Sequence, residues 1–408
     1  MDTAKAKELI IDHIEKSKAT LFEISDYIFA NPELGFVEYK AYDVQVKYLK
    51  EIGFKVVEHA AGMDTAYIAE FSNGEGVSVG LVSEYDALPE LGHACGHNLI
   101  CAATMGAAAA LKSAMQAHDI PGRLVVYGGP AEESGGGKII LLKAGAFDDT
   151  DIAIAVHPTS AMSRVAGENS ASYNFEIEYK GEKAHASARP WLGKNAMDAA
   201  LLFFNAVSFL RQQTRDGVRM YEKTVDGLSG TGGTTCDNVK ITYQICAQTI
   251  MDVDEVVERF RGCIEAGAIG TGCTVEYSEE RGYKNRIPNQ VLGDVFRANC
   301  IALGEPMMEG MPPDSGGEDM GDVSHFIPAI NPHMTIYPES KISSHTKYFR
   351  EVVQNSPASN QFILLNAKAM AMTGMDMLLS PEKVAEAKAE LTGRMKGLYG
   401  DDFESYRK

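Results

Sequence analysis

Residues 172–181 read SYNFEIEYKG, with Tyr173, Phe175, Ile177 and Tyr179 alternating against Asn174, Glu176, Glu178 and Lys180. A period of two puts one set on each face of a β-strand. Outward from that strand come a helix (NAMDAALLFFNAVSFLRQQ, 195–213), strands at 219–229 (RMYEKTVDGLS) and 238–249 (NVKITYQICAQT), a helix at 254–267 (DEVVERFRGCIEAG) and a strand at 274–282 (TVEYSEERG). The order β-α-β-β-α-β is that of a ferredoxin-like unit, a complete α+β layer able to stand as a small domain. It is expected at 170–282.

On either side the pattern changes. Upstream, the helical stretch IIDHIEKSKATLFEISDYIFA (10–30) is followed by FKVVEHA (54–60), AYIAEF (66–71), VSVGLVSE (77–84), a helix from Ala102 to Ala117, RLVVYGG (123–129) and DIAIAVH (151–157). Alternating elements of this kind predict an α/β sheet, and the Ala- and Met-rich helix reads as core packed against it. Downstream, GEPMMEGMPPDSGGEDMGD (304–322) has little periodicity and reads as a long loop, a kind of segment that is often functional. PHMTIYPES (332–340) reads as a strand, and SNQFILLNAKAMAMTGMDMLL (359–379) as a helix that packs back onto the first domain. The expected architecture is a discontinuous α/β domain with a mixed sheet, built from 1–169 and 283–408, into which the α+β domain is inserted. No internal repeat of about 20 to 50 residues is visible.

Composition narrows the class. With 408 residues, 45% hydrophobic and 23% charged, the chain has the balance of a globular protein of more than one domain. A net charge of -18 argues against a nucleic acid or an anionic membrane as partner, because neutralising phosphates takes clustered Lys and Arg. The start, MDTAKAKELIIDHIEKSK, mixes acids with bases and lacks the unbroken apolar core of a signal peptide, and no run reaches ~18 consecutive apolar residues. Seven cysteines, scattered from Cys95 to Cys300, fit reduced thiols better than a disulfide framework. A soluble, cytoplasmic protein is expected.

The chemistry gathers where the apolar runs end. After VSVGLV comes SEYDALPELGHACGHN (83–98), in which Cys95 and His97 stand one residue apart in a Gly-flanked loop. Crevices in open α/β sheets form at such strand ends, and thiolate and imidazole both ligate zinc-like ions. A buried thiol beside a packed histidine would give the same pair, so more ligands are needed. RLVVYGG leads into GPAEESGGG, where Glu132 and Glu133 are adjacent; two close carboxylates are stabilised when a cation neutralises one. DIAIAVH ends at His157, and KISSHTKYF supplies His345 as a closing ligand. Three successive strand ends carrying metal-type groups point to a site.

Taken together, GHACGHN, GPAEESGGG, AVHP, KGEKAHASARP and SSHT resemble the M20 metallopeptidase and amidohydrolase family in its aminoacylase-like branch, over nearly the whole chain. EYDALPELGHACGHN, with Asn98 after CGH, is most similar to p-aminobenzoyl-glutamate hydrolase subunits and related dipeptidase-like proteins. The resemblance implies a two-metal site, Zn2+ or Mn2+, with Cys95, His97, Glu133, His157 and His345 as ligands and Glu132 as general base. It implies further that Asp86 supports a metal-bound imidazole. His185, in KGEKAHASARP, would reach a dimer partner's site to hold the oxyanion, and Asn238 would contact substrate. The inserted domain would then be a lid and dimerisation domain, and the protein a homodimer.

Two positions depart from the family pattern. YQICAQT places Cys246 and Ala247 where relatives carry an Arg for a substrate carboxylate, and DNVKITYQ replaces a Pro-rich approach to that strand. Arg189 and Arg211 are alternative carboxylate forks. The expected activity is hydrolysis of the amide bond of a small N-acyl or N-aroyl amino acid, such as an aminobenzoyl-glutamate-like compound. A dipeptidase acting on an unusual dipeptide is the alternative, and a non-catalytic metal-binding partner subunit is the alternative of another class.

Overall fold

The computed structural model describes residues 3–227, 232–314, 316–336 and 342–407. Leu228 and Ser229 of the strand expected at 219–229, residues 337–340 of the one expected at 332–340, and Lys341 lie outside the described residues. The chain divides into two compact units, one of Met1–Glu168, Arg286–Asp314 and Glu318–Lys408, the other of Asn169–Asn285 and Ser315–Gly317. The second unit runs three residues past Gly282 because Ser172 pairs with the returning chain, its N–H donating to Tyr283 O at 2.9 Å.

The first unit is built on a six-stranded mixed sheet in the order Lys55–Glu58, Tyr67–Ser72, Arg123–Gly128, Ser78–Ser83, Ile152–Ile154, Ala329–Ile330. The first two strands run antiparallel to their neighbours and the remaining pairs are parallel. Every residue of Ser78–Ser83 is buried, as expected of a central parallel strand covered on both faces. The apolar run at 151–157 breaks into two pieces, Ile152–Ile154 and His157–Thr159. Its amides still donate across the ladder, Ala155 N to Ile330 O at 3.0 Å and His157 N to Pro332 O at 2.8 Å. Pro332 has no N–H to return, so the regular pairing lapses there. His157–Thr159 then pairs in parallel with His333–Thr335.

Three helices, Thr3–Ala30, His97–Ala117 and Pro357–Leu378, pack on one another. The middle one starts five residues before the expected Ala102. It is long and apolar enough to cross a membrane, but most of it is buried inside the first unit. Its small residues permit the close approach: a Cβ on Gly106 would come within 2.7 Å of Leu21 Cδ1 and 3.0 Å of Ala367 Cβ. The described residues of the expected loop at 304–322 are irregular up to Asp319, Ser315 lying outside them, and a short helix, Met320–Phe326, takes its end.

The second unit is an antiparallel four-stranded sheet in the order Thr274–Arg281, Ala171–Lys180, Asn238–Ala247, Arg219–Asp226. Helices Ala196–Arg211 and Ile250–Thr271 pack on it, each started by a side-chain cap, Asn195 accepting from Met197 N and Thr249 from Asp252 N. Phe260 sits at the centre of their core, with ring centroids 4.8 Å from Phe175, 5.5 Å from Phe203 and 5.1 Å from Tyr243. All seven cysteines carry free thiols.

Candidate metal centre

Because Arg123–Gly128, Ser78–Ser83 and Ile152–Ile154 are parallel, their C-terminal ends lie together, and the chain leaving each end supplies part of one cluster. Ser78–Ser83 leads to Glu84 and Asp86 and then to Cys95 and His97 at the start of helix His97–Ala117. The turn between those two depends on Gly96, whose φ of 85° favours glycine and whose missing Cβ would lie 2.6 Å from Pro158 Cγ. Arg123–Gly128 leads to Glu132 and Glu133, and Ile152–Ile154 to His157. His345 joins them from a later loop, its N–H donating to Ala94 O at 2.9 Å.

The donor atoms converge in three overlapping groups, Cys95 with His97 and His157, Cys95 with Glu133 and His345, and His97 with Glu132 and Glu133, each lying within 4.8 Å of one another. Cys95 Sγ is 3.2 Å from His157 Nε2, and Glu133 Oε1 is 3.2 Å from His345 Nε2. His97 is fully buried, with Nδ1 2.8 Å from Asp86 Oδ1. A neutral imidazole that donates from Nδ1 presents a bare lone pair at Nε2, and Nε2 has no hydrogen-bond partner among the described residues. An acceptor left unsatisfied in the interior is costly. A cation among Sγ, imidazole N and carboxylate O donors removes that cost, and the donor set fits zinc or manganese.

The electrostatics agree. Burial raises Glu132 well above the usual carboxylate range, and the charges of Glu84 and Glu133 push it further. Burial would raise Glu133 too, but His345 and His97 hold it well below that range. For His97, burial is outweighed by Asp86 and Glu84, which lift it to about 9, so the surrounding carboxylates favour positive charge at this ring, and a metal ion at Nε2 would take the place of the proton; burial and His333 lower His157 to about 4. The Cys95 thiol is pushed up by burial and by Glu133 and Glu132, so its thiolate calls for a neighbouring cation.

Several residues here escaped the sequence reading. Buried Lys138 pairs with Glu84 Oε1 at 2.8 Å and with Asp319. Glu38 Oε1 accepts from Ala131 N at 2.7 Å, fixing the left-handed residue just before Glu132. A lysine inside the apolar stretch GGGKIILLK and adjacent acids in GGEDM were the available signals.

His185 and Asn238 belong to the second unit. His185 is exposed, and its Nδ1 accepts from Ala188 N at 3.3 Å. Asn238 opens its strand and donates from Nδ2 to Glu178 Oε1 at 2.6 Å. Of the alternative arginines, Arg211 is committed internally to Met220 O at 2.7 Å and Tyr243 Oη at 2.9 Å, while Arg189 is exposed. Directly across from Cys246 in the sheet register stands Arg219.

Comparison with known proteins places the chain among hydrolases. Residues 80–358 match the family model described as peptidase family M20/M25/M40. An Xaa-Arg dipeptidase of Mus musculus is 32% identical, over 96% of this chain and 93% of that protein. One of the subunits of p-aminobenzoyl-glutamate hydrolase from Escherichia coli is 29% identical, over 73% of this chain and 65% of that protein. Among solved structures, a dinuclear metal-binding peptidase of the M20 family from Bacillus subtilis superposes with a TM-score of 0.64, at 19% identity, over 86% of this chain and 98% of that one.

Proposed function

Since the chain belongs to peptidase family M20/M25/M40, we propose that it hydrolyses the amide bond of a small amino-acid conjugate at a centre of two divalent cations, zinc or manganese. The observation that carries this reading is the buried His97 Nε2, which has no hydrogen-bond partner among the described residues and belongs to two of the three overlapping donor groups. Cys95, His97 and His157 would hold one cation, and Glu133 and His345 the other, with Cys95 in reach of both. When bound, the cations supply Lewis acidity toward the scissile carbonyl and an acidified water.

The remaining steps fall to the protein. Glu132, whose environment raises its proton affinity, takes a proton from the attacking water and hands it to the leaving amine. Asp86 fixes the tautomer and orientation of His97 through Nδ1. His185 accepts a backbone N–H at Nδ1, which leaves Nε2 to donate to the oxyanion of a partner protomer. A homodimer through the second unit is supported by Met197, Leu201, Leu202 and Phe209 on one helix and Ile269 on the other, all exposed and apolar. Asn238 is assigned to substrate contact.

The dipeptide reading is supported by the Xaa-Arg dipeptidase that matches nearly the whole chain; the N-acyl or N-aroyl reading is supported by the similarity to p-aminobenzoyl-glutamate hydrolase. Purified protein, loaded with zinc or manganese, is assayed on dipeptides, N-acyl amino acids and p-aminobenzoyl-glutamate, with a chelator control. Cleavage abolished by the chelator supports the proposal and ranks the substrate classes. Silence of metal-loaded protein across the panel would transfer the chain to a non-catalytic metal-binding role.

A further inference from the structure

Asp314 and Glu318, from the irregular chain before helix Met320–Phe326, contribute to a largely buried charge cluster that the proposed hydrolysis does not use. Asp314 Oδ2 lies 2.7 Å from His333 Nδ1 and 2.9 Å from Arg164 Nη2, and that guanidinium nitrogen is itself 3.1 Å from His333 Nδ1. On the other edge of the ring, His333 Nε2 lies 3.9 Å from Glu318 Oε2. Glu318 is held in turn by Arg286, through Nε at 2.8 Å and Nη2 at 2.7 Å, and by Asn331 Nδ2 at 3.0 Å. Arg286 is 2% exposed, and its Nη1 donates to Gly167 O at 2.8 Å. Taking two guanidinium groups and two carboxylates largely out of water is costly before pairing, and well-packed apolar residues often serve stability as well or better. Such a cluster suits the holding of one group in one place.

The group it holds is His333, and His333 faces a candidate metal ligand. The two strands pair with His333 opposite His157, and the two rings stand 5.2 Å apart between centroids at 39°. The ligand histidines differ in how they are oriented. His97 has the Asp86 carboxylate at Nδ1, whereas the Nδ1 contact of His157 is to the carbonyl of the adjacent Pro158, at 2.8 Å. A contact to the next residue moves with the chain that carries the ring, so it restrains the ring less than a carboxylate on a separate segment.

We propose that His333 is a positioning residue for His157: fixed by Asp314 and Arg164 on one edge and faced by Glu318 on the other, its imidazole is the wall against which the His157 ring rests, and it thereby sets the affinity for the cation that His157 holds. The inference rests on the two-metal reading above. Outer partners that orient a metal-bound imidazole are typically worth about 10- to 100-fold in affinity, and the same range is expected here for one cation of the pair.

The test is a calorimetric titration of metal-free protein with Zn2+ and with Mn2+, together with the metal content left after dialysis against a graded chelator. Wild type should hold two equivalents. His333→Ala should lower the affinity for one of them about 10- to 100-fold and leave the other unchanged. His333→Phe keeps a ring against His157 and should recover most of the loss, and Asp314→Asn should fall between. The unfolding temperature of each metal-free variant separates positioning from general damage. Wild-type affinity for both cations in His333→Ala overturns the inference, as does a loss shared equally by both cations that tracks metal-free stability. A wild-type protein that binds neither cation overturns the two-metal reading together with the inference, whereas failure of the variants alone overturns only the latter.

Discussion

Asp86 joins two candidate ligands: its Oδ1 lies 2.8 Å from His97 Nδ1, and its Oδ2 accepts from the backbone N–H of Glu133 at 3.0 Å. One buried carboxylate thus fixes the ring of the first ligand and the backbone of the second. In Asp86→Asn the side chain can still occupy the space, but it loses the charge that makes His97 basic. Metal affinity should fall about 10- to 100-fold, with the fold retained. Circular dichroism and metal content after dialysis check both parts.

Glu132→Gln tests the proposed base apart from the candidate ligands. An amide fills the same space but cannot take a proton from water. The variant should keep its metal content and lose about 10²- to 10⁴-fold in kcat, the usual worth of a positioned general base. If kcat in the metal-loaded variant matches wild type, the proton passes through another group.

What could be read from the sequence was what chain neighbours encode. The alternation at 172–181 and the order of elements after it are local patterns, and they describe the antiparallel four-stranded sheet with its two helices. Cys95, Glu132, Glu133 and His157 stood out because each follows an apolar run, and parallel pairing brings such ends together. The supporting charges have no local pattern. Lys138 and Asp319 are separated by 181 positions, and Glu38 and Ala131 by 93. His333 faces His157 only because two short strands, far apart in the chain, pair in register. The break at Ala155–Val156 was likewise hidden, because it depends on a proline in the partner strand rather than on the run itself.

Gly96→Ala tests the turn that aims Cys95 and His97. A residue with a Cβ at φ 85° costs roughly 1–2 kcal/mol, and the new methyl would stand 2.6 Å from Pro158 Cγ. Because Pro158 adjoins His157, relief of that clash displaces a candidate ligand as well. Gly96→Ala should therefore lower both thermal stability and metal content, whereas the strain alone would lower only stability. Denaturant titration with and without bound metal tells the two apart.

Glu38 gives stability a pH dependence that originates outside the ligand set. Burial raises its carboxyl to about 7 against an ordinary 4.5, with the hydrogen bonds from Thr65 and Ala131 opposing in part. Because the folded pKa is the higher one, the folded state binds more protons between pH 4.5 and 7, and stability from this group falls as pH rises. Its contribution is complete below about 4.5 and is lost as pH rises through about 7. In Glu38→Gln the side-chain oxygen can still accept from Ala131 N, and no proton has to be lost. The variant should match wild type near pH 4.5 and exceed it in stability above pH 7, measured as unfolding temperature across that range on metal-free protein. Equal pH profiles for the two proteins would show that Glu38 stays ionised in the fold, and the hydrogen bond to Ala131 would then be one between a carboxylate and the backbone rather than one made by a neutral acid.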